Sequence, residues 1–343
     1  MKAIRICMMC VIFYLGACSF FADPDQPNLR DANPQLDDPL RAFENIPREG
    51  RVIKFRWGNT EFPDGGHFQG IQSFYDSSLK KQICFISRSS DSKAYFITVA
   101  FNPGPQSFGE IRHFQYLPSD GNQPPLRHPG GIQLIGKYLV VGVEDNQNKR
   151  RSQVQFWDVS DPFAPKQRTP LTVIRESATP KDKTAGTVGI VKRANDHLLV
   201  VANWDSKALD FYASNGLPLG DDACRFTFTV RWTSDEANKG PWAPNENWGN
   251  YQGINLVCDR NFNIFLLGFK TNSIGKDFID LFSVDLAKDP PNIIYKLSTK
   301  HMILKGGVHF RNSGGIFIKS STELSCYATE RDDHGETNVN VSP

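Results

Sequence analysis

The sequence predicts an all-β chain folded as a β-propeller, with five blades and an N-terminal strand that closes the last of them; six blades is the alternative count. Three observations predict it. A glycine-centred element recurs as Gln69-Gly-Ile-Gln72, His128-Pro-Gly-Gly-Ile-Gln133, Gly186-Thr-Val-Gly189, Tyr251-Gln-Gly-Ile-Asn255 and Lys305-Gly-Gly-Val-His309. Aligning Gly70, Gly131, Thr187, Gly253 and Gly307 gives spacings of 61, 56, 66 and 54 residues, a period that suits one four-stranded blade. Each interval also holds short apolar runs separated by turn residues, the pattern of an all-β chain.

The chain begins with a basic Lys2-Ala-Ile-Arg5 and an apolar run from Ile6 to Ala17, too short to span a bilayer as a helix. That run ends in Leu15-Gly-Ala-Cys18, which resembles the lipobox of bacterial lipoproteins. The resemblance implies cleavage before Cys18, acylation of its thiol and attachment to a lipid bilayer. Ser19 after the cysteine implies sorting to the outer membrane. Residues 1–17 are then a signal peptide. Residues 18–50, rich in Pro, Asp and Asn, read as a disordered tether with room for one helical turn near Leu40.

From residue 51 the elements follow in order. The first unit has strands at 69–75, 82–87, 94–100 and 110–117, the second at 131–135, 138–143, 153–159 and 171–175. The third has 188–193, 197–202, 208–212 and 225–232, the fourth 253–258, 264–269, 278–284 and 293–300. The fifth shows only 307–310, 315–319 and 324–328. Its missing strand is supplied by Arg51-Val-Ile-Lys-Phe-Arg-Trp57, which alternates and ends in Arg-Trp as does Arg225-Phe-Thr-Phe-Thr-Val-Arg-Trp232. Such a closure removes an unpaired edge. The propeller is expected over 51–331, and 332–343 is expected to be a flexible tail. Inside the second unit, Asp158-Val-Ser-Asp-Pro162 resembles the turn of LVIVD-type propeller repeats, with a weaker copy at Phe282-Ser-Val-Asp-Leu286. Asp and Ser there cap their own backbone and Pro fixes the turn.

Charge and cysteine content narrow the function classes. The formal charge of +2 becomes 0 once Lys2 and Arg5 are removed, which argues against nucleic acid as a partner. Cys84, Cys224, Cys258 and Cys326 show no zinc spacing; an exported chain leaves disulfides open, and their apolar strand settings favour buried thiols.

Propeller connectivity puts the loops before each inner strand and those between second and third strands on one face, where most long polar segments fall. Candidate ligand-binding residues on that face are His67 and His128, ahead of equivalent inner strands, and Trp232, Trp242, Trp248 and Tyr251 in and around the 233–250 loop. Flat aromatic faces beside Asn and Glu suit a glycan, peptide or protein partner. Arg150 and Arg151 offer an anion clamp. No metal is expected, because the positions matching the two histidines are Thr184, Asn250 and Leu304. No cofactor fingerprint or nucleophile elbow occurs. The first reading is therefore a non-catalytic binding propeller. The second is a glycosidase-like enzyme, with Asp64, Glu144, Asp145, Asp205 and Glu246 as the acids to consider.

Overall fold

The computed structural model describes residues 35–58, 62, 65–102, 108–237, 248–290, 292–331 and 335–343. They form an almost wholly β, propeller-like arrangement of antiparallel sheets around a common axis. After β1 (Arg51–Arg56), the first run is β2 (Phe68–Asp76), β3 (Lys81–Arg88), β4 (Ala94–Phe101) and β5 (Phe108–Leu117). The second is β6 (His128–Ile135), β7 (Tyr138–Glu144) and β8 (Arg151–Asp158), edged by β9 (Lys166–Gln167) and β10 (Val173–Glu176). The third is β11 (Thr187–Lys192), β12 (His197–Ala202), β13 (Ala208–Ser214) and β14 (Phe226–Thr233). Then come β15 (Gly253–Cys258), β16 (Ile264–Thr271), β17 (Asp277–Val284) and β18 (Ile294–Met302). The last run is β19 (Gly315–Ser320), β20 (Glu323–Thr329) and β21 (Glu336–Ser342), with β1 paired to β21.

The recurring Gly-Ile-Gln/Asn element lies at the axis, and its amides tie the inner strands together. Gln72 Nε2 donates to Asn255 Oδ1 at 3.1 Å, and Asn255 Oδ1 also accepts from Ile316 N–H at 3.0 Å. Gln133 Oε1 accepts from both Ile190 and Leu256 N–H at 2.8 Å, while its Nε2 donates to Leu256 O. These side chains are buried, so each bond satisfies a group whose desolvation would otherwise be costly. The glycines are there because the strands nearly touch. A Cβ on Gly131 would lie 2.2 Å from Thr187 Oγ1, and one on Gly315 would lie 2.0 Å from Ile71 O. Between sheets the core is aromatic: Phe74, Phe85, Phe96 and Trp157 follow one another with ring centres 5.7–6.0 Å apart.

The Asp158 turn behaves as its sequence implies. Asp158 Oδ1 accepts from Ser160 N–H at 2.9 Å and from its hydroxyl at 2.6 Å, and Asp161 Oδ1 caps Phe163 N–H.

Three expectations are corrected. Residues 307–310 are not a strand, because Gly306 and Gly307 adopt φ of +74° and +75°; the inner strand is β19, opened by Gly314-Gly315-Ile316. Residues 336–342 are not tail: β21 buries Val339 and Val341 between β20 and β1. The expected tether is ordered from Gln35 onward. Leu36 N–H bonds Cys258 O at 2.9 Å, and helix α1 (Pro39–Asn45) is capped by Asp38, whose carboxylate accepts from Arg41 N–H. Its apolar face, Ala42 and Phe43, packs with Ile46 against Val257, Phe310 and Leu324.

Candidate binding site at the channel mouth

Loops before the inner strands and loops between second and third strands do meet on one face. They enclose a cavity of about 380 Å³ lined by residues from the first three runs and by Tyr251 and Gln252. At its floor, Gln69 Nε2 lies 3.0 Å from His128 Nε2 and is also bonded to His67 Nε2. The two imidazole centres are 6.1 Å apart. His67 sits just ahead of β2, and its backbone N–H is held by Ser89 Oγ at 3.1 Å.

His128 is fixed from three sides. Its Nδ1 is 3.1 Å from Glu144 Oε1, and the other Glu144 oxygen accepts from Ala185 N–H at 2.7 Å. Glu144 is fully buried at the end of β7. The Trp204 ring stacks on His128 at 5.8 Å and 29°, and Lys149 Nζ lies 3.9 Å from the centre of the same indole. Trp204 stands where it does because the 203–206 turn is sharp: Asp205 and Ser206 take φ of +59° and +53°, and Thr184 Oγ1 accepts from Trp204 N–H at 2.6 Å. Arg127 completes the rim. Its Nε donates to Asn146 Oδ1 at 3.2 Å, and its Nη1 bonds the Asp91 carbonyl.

The sequence-predicted residues are thus divided. His67 and His128 line the cavity. Trp232 and Tyr251 are 0% and 2% exposed, so their rings cannot offer a flat face to a ligand. Trp248 packs on both, with ring centres 4.5 and 4.8 Å away, and its Nε1 donates to Ser206 O at 2.6 Å. Tyr251 O–H bonds Asp280. These three rings pack between the third and fourth runs of strands. Trp242 and Cys18, like Asp64 and Glu246, lie outside the described residues. Arg151 is committed to Asp120 and to Pro124 O at 2.7 Å, and Arg150 is not on the cavity wall. Sequence reasoning missed Gln69, Arg127, Asn146 and Trp204. Arg127 and Gln69 flank residues it did single out; Trp204 had no signal beyond its place in a second-to-third-strand loop.

Among the acids considered, Glu144 is spent on His128 and Ala185. Asp145 is buried and accepts from Gln147 and Asn148 N–H at 2.9 Å. Asp205 lines the cavity half-exposed, beside the exposed Asp91. Among the described residues, no cluster of three or more His, Cys, Asp or Glu side chains forms a metal-ligand set. The four described cysteines are free and buried, and burial pushes the Cys84 thiol up to about 12 and Cys258 to about 11.

Behind the mouth, two buried aspartates in equivalent third strands hold the sheets' charge. Burial alone would raise the Asp210 carboxyl, but Arg175, with hydrogen bonds from Arg231 and Lys183, holds it below the usual range. Asp280 is treated the same way by Lys270 and Lys296.

Fold and mouth together define an all-β, propeller-like protein with a polar, aromatic-walled site where its inner strands begin. No protein-family model and no curated protein matches the chain. Among solved structures it is similar to a fructofuranosidase from Schwanniomyces occidentalis complexed with fructose, at 10% identity and a TM-score of 0.46. The likeness covers 84% of this chain, which spans 57% of the length of that one.

Proposed function

We propose that this chain is a five-bladed binding propeller that takes a glycan, peptide or protein segment at the channel mouth, and that it is tethered to the outer membrane through acylated Cys18. The four-strand runs, with β1 completing the last, support the blade count. The observation that carries the binding reading is the convergence of His67, Gln69, Arg127, His128 and Asn146 beside Trp204 around a 380 Å³ cavity. That volume is within the range of small-ligand sites, and mixed donors and acceptors beside an indole suit a hydroxyl- or amide-rich ligand. The commitment of Glu144 to structural bonds supports binding rather than hydrolysis, which needs two carboxylates free to flank a bond. The tether reading rests on the lipobox-like Leu15-Gly-Ala-Cys18.

The test is retention on glycan and peptide arrays. Wild type should be retained by at least one class. Trp204→Ala and Gln69→Ala should each weaken that retention by about tenfold, the scale of one lost buried contact or hydrogen bond. Trp248→Phe should leave affinity intact and lower the melting temperature. Full retention in a folded Trp204→Ala, Gln69→Ala double variant would refute the site.

A further inference from the structure

The floor of the mouth holds an arrangement that ligand recognition alone does not require. Two imidazoles from neighbouring sheets turn their Nε2 atoms onto one point, the end of the Gln69 side chain. We propose that this point is a binding site for a borderline divalent metal ion, zinc being the reference case. His67 Nε2 and His128 Nε2 are its nitrogen ligands, the Gln69 side-chain carbonyl is the third protein ligand, and water from the cavity completes the shell.

The two rings are within reach of one ion. Imidazoles bound at 2.0–2.1 Å with a tetrahedral angle between them place their ring centres roughly 5 Å apart. The observed separation is 6.1 Å, with the rings inclined at 62°, so a tetrahedral shell requires the two side chains to close by roughly 1 Å. The Gln69 amide already occupies the space between them, and a half-turn about its last bond replaces nitrogen by oxygen without moving the backbone.

The surroundings of His128 support it independently. Metal-bound histidines usually donate their other ring N–H to a carboxylate, which fixes the tautomer and raises ligand basicity. Here Nδ1 faces Glu144 Oε1 at 3.1 Å, and Glu144 is in turn pinned by Ala185 N–H at 2.7 Å. Trp204 stacks on the ring and sets its plane. Glu144 is therefore a positioning residue. The chemistry of the donors selects the ion: two imidazoles and one carbonyl oxygen, without thiolate, suit zinc, nickel or copper(II) better than calcium or magnesium. The 380 Å³ cavity above supplies the entry path and room for open coordination positions. His309 plays no part, since it does not line this cavity. The proposal goes beyond ligand binding at the mouth and does not depend on it.

The full-length chain, untagged and stripped with a chelator, should bind one equivalent of Zn²⁺ in a calorimetric titration. Co²⁺ should give ligand-field absorbance bands in its place. His67→Ala and His128→Ala should each weaken binding about tenfold or more, and Glu144→Gln by about 10- to 100-fold. Because Glu144→Gln touches a buried partner, Gln69→Glu is the companion variant: it gives up the amide donor shared by the two imidazoles, adds a charged ligand and should tighten binding. Absence of one-equivalent binding to the folded wild type would overturn the proposal. So would unchanged affinity in a folded His67→Ala, His128→Ala double variant.

Discussion

Trp248 and Trp204 show what a single residue's sequence context can and cannot say. Trp248 stands among Asn, Glu and Gly in a long loop, the composition of a ligand platform, yet it packs between Trp232 and Tyr251 and donates to Ser206 O. Trp204 sits in an unremarked Asn-Trp-Asp-Ser turn and reaches the mouth because Asp205 and Ser206 take left-handed backbone conformations that composition does not announce. The histidines at the mouth were legible because the repeat itself carries them there. Another histidine has a role in stability. His197 is buried opposite Lys192, and burial, with that lysine second, holds it down to about 4. Unfolded histidine titrates near 6.5. Between these values the unfolded chain takes up a proton that the folded chain refuses, so stability falls as pH drops from about 6.5 toward 4, by about 3 kcal/mol in all. His197→Leu should flatten this part of the stability–pH curve, read by urea unfolding at pH 7, 5.5 and 4.5. An unchanged slope would assign the dependence to other groups.

At the scale of the element, strand identity was readable wherever apolar alternation was strong. The 82–87, 94–100 and 264–269 segments lie within β3, β4 and β16. The last run was misread at both ends, for physical reasons. Lys305-Gly-Gly-Val-His309 copies the repeat in composition, but paired glycines equally permit the left-handed turn that Gly306 and Gly307 adopt. Thr337-Asn-Val-Asn-Val341 alternates in step with a strand, yet Asn has little strand preference and the segment ends the sequence, so nothing local reveals that β20 and β1 lie either side of it. That pairing makes the C-terminus structural. Removing residues 335–343 exposes an edge of β1 and discards the buried Val339 and Val341, costing about 3–6 kcal/mol from apolar burial. Thermal unfolding should show a large drop in midpoint. A truncated chain that melts with wild type would contradict the closure.

For the whole molecule, repeat spacing predicted both the propeller-like layout and the face on which the loops gather, because every unit places the same kind of connection at the same end. It could not predict which side chains fill the axis. Gln72, Gln133 and Asn255, from three of the repeats, turned out to cross-link the inner strands, leaving the site to the residues just ahead of them. Gln69 is the exception, within β2 yet facing the cavity. Partner binding at this mouth is tested by hydrogen–deuterium exchange with and without the array ligand that retains the protein most strongly. Exchange should slow in segments 65–70, 88–91, 127–131 and 203–206, with outer strands such as β14 and β18 unchanged. Protection on those outer strands, with none at the four mouth segments, would contradict it.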